Sequence, residues 1–205
     1  MSAPLPAALA ARVAEAAAVL RRGGVIAYPT ETFYGLGALV SRRGAVDRLA
    51  QAKGRPDGKP LPLLAGSLAQ VEALAELSPL ARRLAAAFWP GALTLVLPAR
   101  PGLAGAITGE GATVGVRVTS GPVAAALALA AGGALVATSA NLAGAPPAAS
   151  AGQLDPALVA RLDLVLDGGP APGGLPSTVV ALGDEGLILV RAGAVPFEAV
   201  QAAAR

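Results

Sequence analysis

Only two lysines occur in this chain, Lys53 and Lys59, and both fall within Lys53-Gly54-Arg55-Pro56-Asp57-Gly58-Lys59, while every other basic residue is an arginine. A lysine ammonium is a compact point charge with three rotatable donors, and a guanidinium is a planar fork. Lys-x-Arg beside glycines therefore suits the two sides of a polyphosphate. A solvated basic loop is the alternative reading of the same residues. The rest of the composition narrows the chemistry. There is no histidine and no cysteine, which removes Ser-His-Asp and Cys-His nucleophiles, thiolate redox chemistry, disulfides, and zinc or iron sites built on imidazole and sulfur. What is left is oriented charge, backbone N–H groups, hydroxyls, carboxylates and an oxygen-liganded Mg²⁺. These are the tools of phosphoryl and nucleotidyl transfer.

Three further segments gather polar residues at the ends of apolar strands, where open α/β sheets place ligands. Tyr28-Pro29-Thr30-Glu31-Thr32-Phe33-Tyr34-Gly35-Leu36-Gly37 holds half of the aromatic residues. It reads either as a turn packing its rings inward or as a loop whose two hydroxyls, carboxylate and tyrosine grip a small polar molecule. Thr138-Ser139-Ala140-Asn141 reads as an N-cap or Asx-turn, or as a ligand contact. Pro176-Ser177-Thr178, leading to Arg191-Ala192-Gly193, reads as a surface hairpin or as part of the same site.

The elements that must position these residues alternate as in an α/β domain. At 205 residues and 54% hydrophobic, the chain is long enough for one domain with a sizeable core. Leu5 to Arg22 is a predicted helix stopped by Gly23-Gly24 before the strand Val25 to Tyr28. A helix over Gly44 to Ala52 precedes the lysine loop, and Leu61 to Ala65 is a short strand. Ser67 with Gln70 forms a capping box, and Ser78-Pro79 opens a helix that ends at Trp89-Pro90-Gly91. Strands follow at Ala92 to Leu97 and Thr113 to Val118, then a helix over Pro122 to Ala131 and a strand from Leu135 to Thr138. Ser150 with Gln153 is expected to cap a helix reaching Arg161, with a short extended piece at Leu164 to Leu166. Gly168 to Pro176 is a glycine- and proline-dense loop. Ser177 to Leu182 and Leu187 to Arg191 form a hairpin turning at Asp184-Glu185-Gly186, and Pro196 begins a terminal helix.

Seven motifs stand in one order along the chain: Tyr-Pro-Thr-Glu-Thr-Phe-Tyr-Gly-Leu-Gly, Lys-Gly-Arg-Pro-x-x-Lys-Pro-Leu, Phe-Trp-Pro-Gly-Ala-Leu-Thr, Val-Gly-Val-Arg-Val, Ser-Ala-Asn-Leu-Ala-Gly, Pro-Ser-Thr-Val-Val and Arg-Ala-Gly. In this order they resemble the YrdC-like threonylcarbamoyl-AMP synthases, over roughly Gly23 to Gly193. The resemblance implies an α/β fold: a single YrdC-like domain over residues 1–205, with a twisted mixed β-sheet flanked by helices, a concave ligand-binding face and no C-terminal extension domain. It implies synthesis of threonylcarbamoyl-AMP and pyrophosphate from L-threonine, bicarbonate or CO₂, and ATP, for the threonylcarbamoyl modification of adenosine in tRNA. Carried over by position, Lys53 and Arg55 are the expected catalytic residues. Arg55, Lys59, Thr113, Ser139, Asn141 and Arg191 are expected to contact ATP, with Mg²⁺ arriving on its phosphates, and Thr32, Arg117 and Ser177 to contact L-threonine. Glu31 is cast as a loop organiser. Some relatives carry a histidine where this chain has Leu64, which is expected to join an apolar wall sensing the substrate methyl group.

Two other functions fit parts of the pattern. The net charge of +3 suits a module binding double-stranded RNA or tRNA through phosphates, but only 14% of residues are charged and no arginine run or RNA-binding motif is present. A carbamoyl-adenylate-handling domain of a carbamoyltransferase system is the other. No stretch of about 18 apolar residues reads as a membrane span, and no basic segment precedes an apolar one at the N-terminus. A cytoplasmic location is therefore expected, with the downstream threonylcarbamoyl transferase machinery as a partner.

Overall fold

Two mixed β-sheets flanked by helices organise the chain, where the sequence suggested one. The computed structural model describes residues 4–53, 60–109, 111–142, 144–183 and 186–205. The N-terminal helix α1 (Ala7–Arg21) buries Val13, Ala16, Ala17 and Leu20, the i, i+3, i+4, i+7 stripe of an amphipathic helix. Strands β1 (Val25–Pro29) and β2 (Tyr34–Ala38) are buried along their whole length and pair antiparallel from Val25↔Ala38 to Pro29↔Tyr34. The segment with two open readings is thus a hairpin with its tip at residues 30–33. Helix α2 (Arg43–Ala52) ends on Lys53. Arg55 and Lys59 lie outside the described residues.

The chain resumes at Pro60 into β3 (Leu63–Ala65), shorter than the stretch expected from Leu61. Helices α3 (Leu68–Glu72) and α4 (Pro79–Phe88) start at Ser67 and Ser78, whose hydroxyls accept the N–H groups of Gln70 and Ala81. Strand β4 (Leu93–Pro98), the short α5 (Gly105–Thr108), which the sequence pattern did not signal, and β5 (Thr113–Val118) follow. Helix α6 (Pro122–Ala131) has Pro at its start and a left-handed Gly132 at its end, as proline and glycine prefer, and packs on α1. The expected strand over Leu135 to Thr138 is two short strands, β6 (Leu135–Val136) and β7 (Thr138–Ser139).

The expected helix from Ser150 to Arg161 does not form as one unit. A single 3-10 turn at Ala151–Gln153 is followed by α7 (Pro156–Val159), capped by the Asp155 carboxylate on the Ala157 N–H at 2.7 Å. Pro156 explains the break: the residue before a proline is driven out of helical geometry, and Asp155 is extended at φ −61°, ψ 127°. Strands β8 (Leu164–Val165), β9 (Thr178–Gly183) and β10 (Gly186–Arg191), then helix α8 (Phe197–Ala204), complete the order. Asp184 and Glu185 of the expected hairpin turn lie outside the described residues.

The smaller sheet has the order β7-β2-β1-β8 and the larger one β10-β9-β4-β5-β3-β6. Residues 135–139 pass from the larger sheet to the smaller: β6 pairs with β3, and β7 with β2. Between them the Ala137 N–H donates to the Pro62 carbonyl at 2.8 Å. This crossing leaves a gap between the two sheets on one side, and the polar residues collect there.

Candidate functional site

A cavity of about 500 Å³ opens between the sheets, lined by Thr30, Thr32, Phe33, Tyr34 and Gly35 from the hairpin tip and β2, Ala137, Thr138 and Ser139 from the crossing segment, and Pro62, Arg117, Ser177 and Arg191 from the larger sheet. Residues separated by more than 150 positions, such as Thr30 and Arg191, line one cavity. Thr32, Arg117, Ser177, Ser139 and Arg191, five of the residues singled out in the sequence, are brought together here.

Arg117 projects from β5 with its side chain only 7% exposed, and its Nε donates to Glu31 Oε1 at 2.8 Å. The Glu31 carboxylate, 10% exposed, also accepts the Thr119 hydroxyl. A buried guanidinium without a counter-ion is strongly disfavoured, so Glu31 makes it possible for Arg117 to stand at the cavity floor. With Nε committed to Glu31, the Nη end of the fork is what remains for an anion. At the hairpin tip, Thr30 Oγ1 donates to the Phe33 carbonyl at 2.7 Å and lies 3.2 Å from Thr32 Oγ1. The Thr30 proton is used, so Thr32 is the donor in that pair and offers the cavity its acceptor lone pairs.

Across the cavity, Arg191 donates through Nε and Nη2 to the Ser177 carbonyl at 3.1 and 2.7 Å, and through Nη2 to Ser177 Oγ at 3.0 Å. Ser177 Oγ also lies 3.0 Å from Thr94 Oγ1. With Arg191 supplying one hydrogen, the serine proton is directed either to Thr94 or to a ligand. Close approach of the 191–193 segment to the start of β9 requires Gly193: a Cβ there would stand 2.3 Å from the Pro176 oxygen and 2.5 Å from the Thr178 nitrogen. That accounts physically for the glycine in Arg-Ala-Gly.

Lys53, 8% exposed, reaches the same crossing segment from the end of α2. Its Nζ donates to the Ser139 carbonyl and the Asn141 carbonyl, each at 2.7 Å, to Ser139 Oγ at 3.3 Å, and to Asn141 Oδ1. Ser139 Oγ in turn donates to Asn141 Oδ1 at 2.6 Å. The lysine and the Ser-x-Asn pair, 86 and 88 residues apart, form one cluster.

Three expected placements change. Leu64 does not reach the cavity. It is the registered neighbour of Arg117 but is fully buried in the core beside Val123, Leu127 and Leu135, because the α6 helix covers that end of β3. The apolar lining consists instead of Pro62, Ala137, Phe33, Pro147, Pro176 and the ring of Tyr34. The tyrosines of the hairpin do not offer hydroxyls to a ligand either. Tyr28 is buried with its hydroxyl toward the Val136 carbonyl, and burial raises its pKa. Tyr34 Oη lies 2.7 Å from the Gly169 carbonyl and 3.1 Å from Asp167 Oδ1. Burial first, and the Asp167 carboxylate second, push its pKa up to about 12. Thr113 is exposed at the far end of β5 from Arg117, on the side where the chain enters β3, and does not line the cavity.

Thr94 and Thr119 escaped the sequence reading. A threonine between Leu93 and Leu95 in a buried strand was the available signal for the first, since a hydroxyl in such a place needs a polar partner. Thr119 had only its two-residue spacing from Arg117, which places both on one strand face.

A two-sheet α/β domain with a buried arginine beside a hydroxyl-lined cavity has the chemistry to suit a small anionic polar molecule. The sequence matches the Sua5/YciO/YrdC family, described as "Telomere recombination", over residues 18–193. It is 47% identical over 156 residues to the threonylcarbamoyl-AMP synthase of Stenotrophomonas maltophilia (strain K279a), covering 75% of this chain and 84% of that one. It is 40% identical over 193 residues to the threonylcarbamoyl-AMP synthase of Bacillus subtilis (strain 168), covering 93% of this chain and 56% of that one. The structure of Pyrococcus abyssi Sua5 complexed with L-threonine superimposes with a TM-score of 0.89 at 37% identity, over 95% of this chain and 57% of that one. The chain belongs to the Sua5/YciO/YrdC family and spans little more than half the length of the Bacillus and Pyrococcus relatives.

Proposed function

We propose that this chain is a nucleotidyltransferase that makes threonylcarbamoyl-AMP from L-threonine, bicarbonate or CO₂, and ATP, releasing pyrophosphate. The observation that carries the reading is the convergence of Thr32, Arg117 and Ser177 from three separate elements on one cavity, beside Ser139 and Arg191. An α-carboxylate matches the Nη end of Arg117, where charge-assisted hydrogen bonds are strong. Thr32 accepts from an ammonium or hydroxyl, and Ser177 serves the substrate hydroxyl.

The chemistry needs no protein nucleophile. The amine nitrogen of threonine bonds to the carbon of CO₂ and loses a proton, giving a carbamate. A carbamate oxygen then bonds to the α-phosphorus of ATP as the bond to the β-phosphate oxygen breaks and pyrophosphate leaves. Catalysis of such a displacement rests on alignment and charge neutralisation. Lys53, Ser139 and Asn141 are proposed to hold the polyphosphate end, with Arg55, Lys59, Thr113 and Arg191 as further nucleotide contacts. No cluster of three or more carboxylate, histidine or cysteine side chains exists among the described residues. The hydroxyl and amide oxygens of Ser139 and Asn141 nevertheless suit a hard cation, so they would hold Mg²⁺ together with the nucleotide's own phosphates. When bound, the ion neutralises charge building on the leaving pyrophosphate. No helix among the described residues is long and apolar enough to cross a membrane. With tRNA modification as the destination of the product, the proposed location is cytoplasmic, and the tRNA-modifying transferase is the proposed acceptor.

Purified protein incubated with ATP, L-threonine and bicarbonate tests this directly. Pyrophosphate release that requires all three is the expected result. Release that is indifferent to threonine would overturn the proposal.

A further inference from the structure

Of the three ion pairs among the described residues, Arg48–Asp163 and Arg82–Glu72 are substantially exposed and only Arg117–Glu31 is buried. An exposed pair contributes little, whereas a buried one persists only where its geometry is secured by further hydrogen bonds. Here it is secured on both sides. Glu31 Oε1 receives Arg117 Nε at 2.8 Å, and the other oxygen, Oε2, receives the Thr119 hydroxyl. The Thr119 oxygen accepts the Gly121 N–H at 3.1 Å, while the Thr119 N–H donates to the Ala65 carbonyl at 3.0 Å, tying the arrangement to β3. Arg117 and Thr119 stand two residues apart on β5 and its continuation, so both face Glu31. Space for the carboxylate depends on Gly121, where a Cβ would stand 2.9 Å from the Glu31 nitrogen and 3.3 Å from Oε2. Glu31 itself does not line the cavity; Arg117 does.

We infer that Glu31 is a positioning residue: held by Thr119 and admitted by Gly121, its carboxylate fixes Arg117 through Nε so that only the Nη edge of the guanidinium meets the substrate carboxylate. The hairpin tip therefore serves the amino-acid end of the site in two ways. Thr32 touches the substrate, and Glu31 acts on it through another residue. The fixed fork selects a ligand presenting a planar carboxylate at that edge, and the Glu31 charge keeps the buried cation compensated before the substrate arrives.

The inference rests on the proposed threonine site, and the test separates the two. L-Threonine and a non-hydrolysable ATP analogue are titrated separately, by calorimetry, into the wild type, Glu31→Gln, Arg117→Met and the double variant, with thermal midpoints recorded for each. Glu31→Gln keeps the shape and removes the charge. Threonine affinity is expected to fall by about tenfold, as for loss of a charge-assisted contact, with affinity for the analogue within twofold of wild type. In the Arg117→Met background, Glu31→Gln is expected to change threonine affinity no further, since its effect passes through Arg117. Independent effects of the two substitutions, or equal weakening of both ligands, would overturn the positioning role while leaving the threonine site standing. A wild type that binds no threonine would overturn the site and the inference together. Should Glu31→Gln fail to fold, Thr119→Val keeps both charges and removes the hydrogen bond that holds the Glu31 carboxylate in place, so that the ion pair loses its fixed geometry. The same selective loss of threonine affinity is expected, and an unchanged affinity would overturn the inference.

Discussion

The two parts of the candidate site are built differently. On one side, proposed to meet the amino acid, Arg117 on β5 and Ser177 at the start of β9 are carried by the larger sheet, both strands paired with β4, and their geometry follows from ladder hydrogen bonds that cannot slip without moving the core. On the other side, Lys53 sits on the last turn of α2 and gathers Ser139 and Asn141 from a segment that has just changed sheets. One part is held by sheet register and the other by a single ammonium that collects four oxygens. Preorganisation of the first part is inherited from the fold; in the second it depends on one side chain.

Removing that side chain is the severest test. Lys53→Ala takes away a charge proposed to face the polyphosphate and removes the hydrogen bonds that tie the end of α2 to Ser139 and Asn141. Turnover is expected to fall by about 10²–10³, the usual consequence of losing a preorganised electrostatic donor. The thermal midpoint is expected to drop modestly as well, because the charge-assisted hydrogen bonds linking α2 to the crossing segment are lost. Pyrophosphate-release kinetics and calorimetry measure both, and a wild-type rate in the folded variant would remove the lysine cluster from the mechanism.

The strand-borne end is probed by Arg117→Leu, expected to weaken L-threonine by about 1.5–3 kcal/mol with little effect on ATP. Parallel titrations with the two ligands decide this, and equal losses would mean that the arginine belongs to both ends. Smaller still is the discrimination between threonine and serine. Pro62, Ala137, Phe33, Pro147 and Pro176 are apolar residues lining the cavity that can sense the extra methyl, worth about 1–3 kcal/mol in a hydrophobic pocket. Serine is therefore expected to be used poorly, and competition assays giving identical specificity constants would show that these residues do not contact it.

The mildest effect concerns the scaffold of the hairpin. The pKa of Tyr34 is raised in the folded protein to about 12, so its protonated hydroxyl contributes stability that is fully present below the ordinary tyrosine value near 10 and is lost as pH rises through the folded value. Tyr34→Phe is expected to cost about 1 kcal/mol at neutral pH and to flatten the stability curve between roughly pH 10 and 12. Denaturant melts of both proteins across that range measure it, and parallel curves would show that the hydroxyl contributes nothing there.

Much of this molecule follows from local sequence. Helix starts at Ser67 and Ser78 with bonded hydroxyls, the stop at Gly132, the buried stripe of α1 and the β9–β10 hairpin are decided within a few residues, where capping, periodicity and turn chemistry act. The candidate residues carry the same kind of signal, because hydroxyls, charges and glycines at the ends of apolar strands are costly unless they are used. The resemblance placed Lys53 with Ser139 and Asn141, and Thr32 with Arg117 and Ser177, before any coordinates. Register and long-range packing are another matter. That the Leu135 strand would break at Ala137 and serve two sheets depends on partners 70 to 100 residues away. The same holds for Leu64 lying beneath α6 while its registered neighbour Arg117 faces the cavity. Pairing energies are set by what lies opposite and not by the strand itself. Composition and spacing thus determined which chemical groups this chain can bring to a reaction. Only the tertiary structure decided which of them meet, because a buried charge such as that of Arg117 is tolerated at the single place where another segment delivers Glu31 to it.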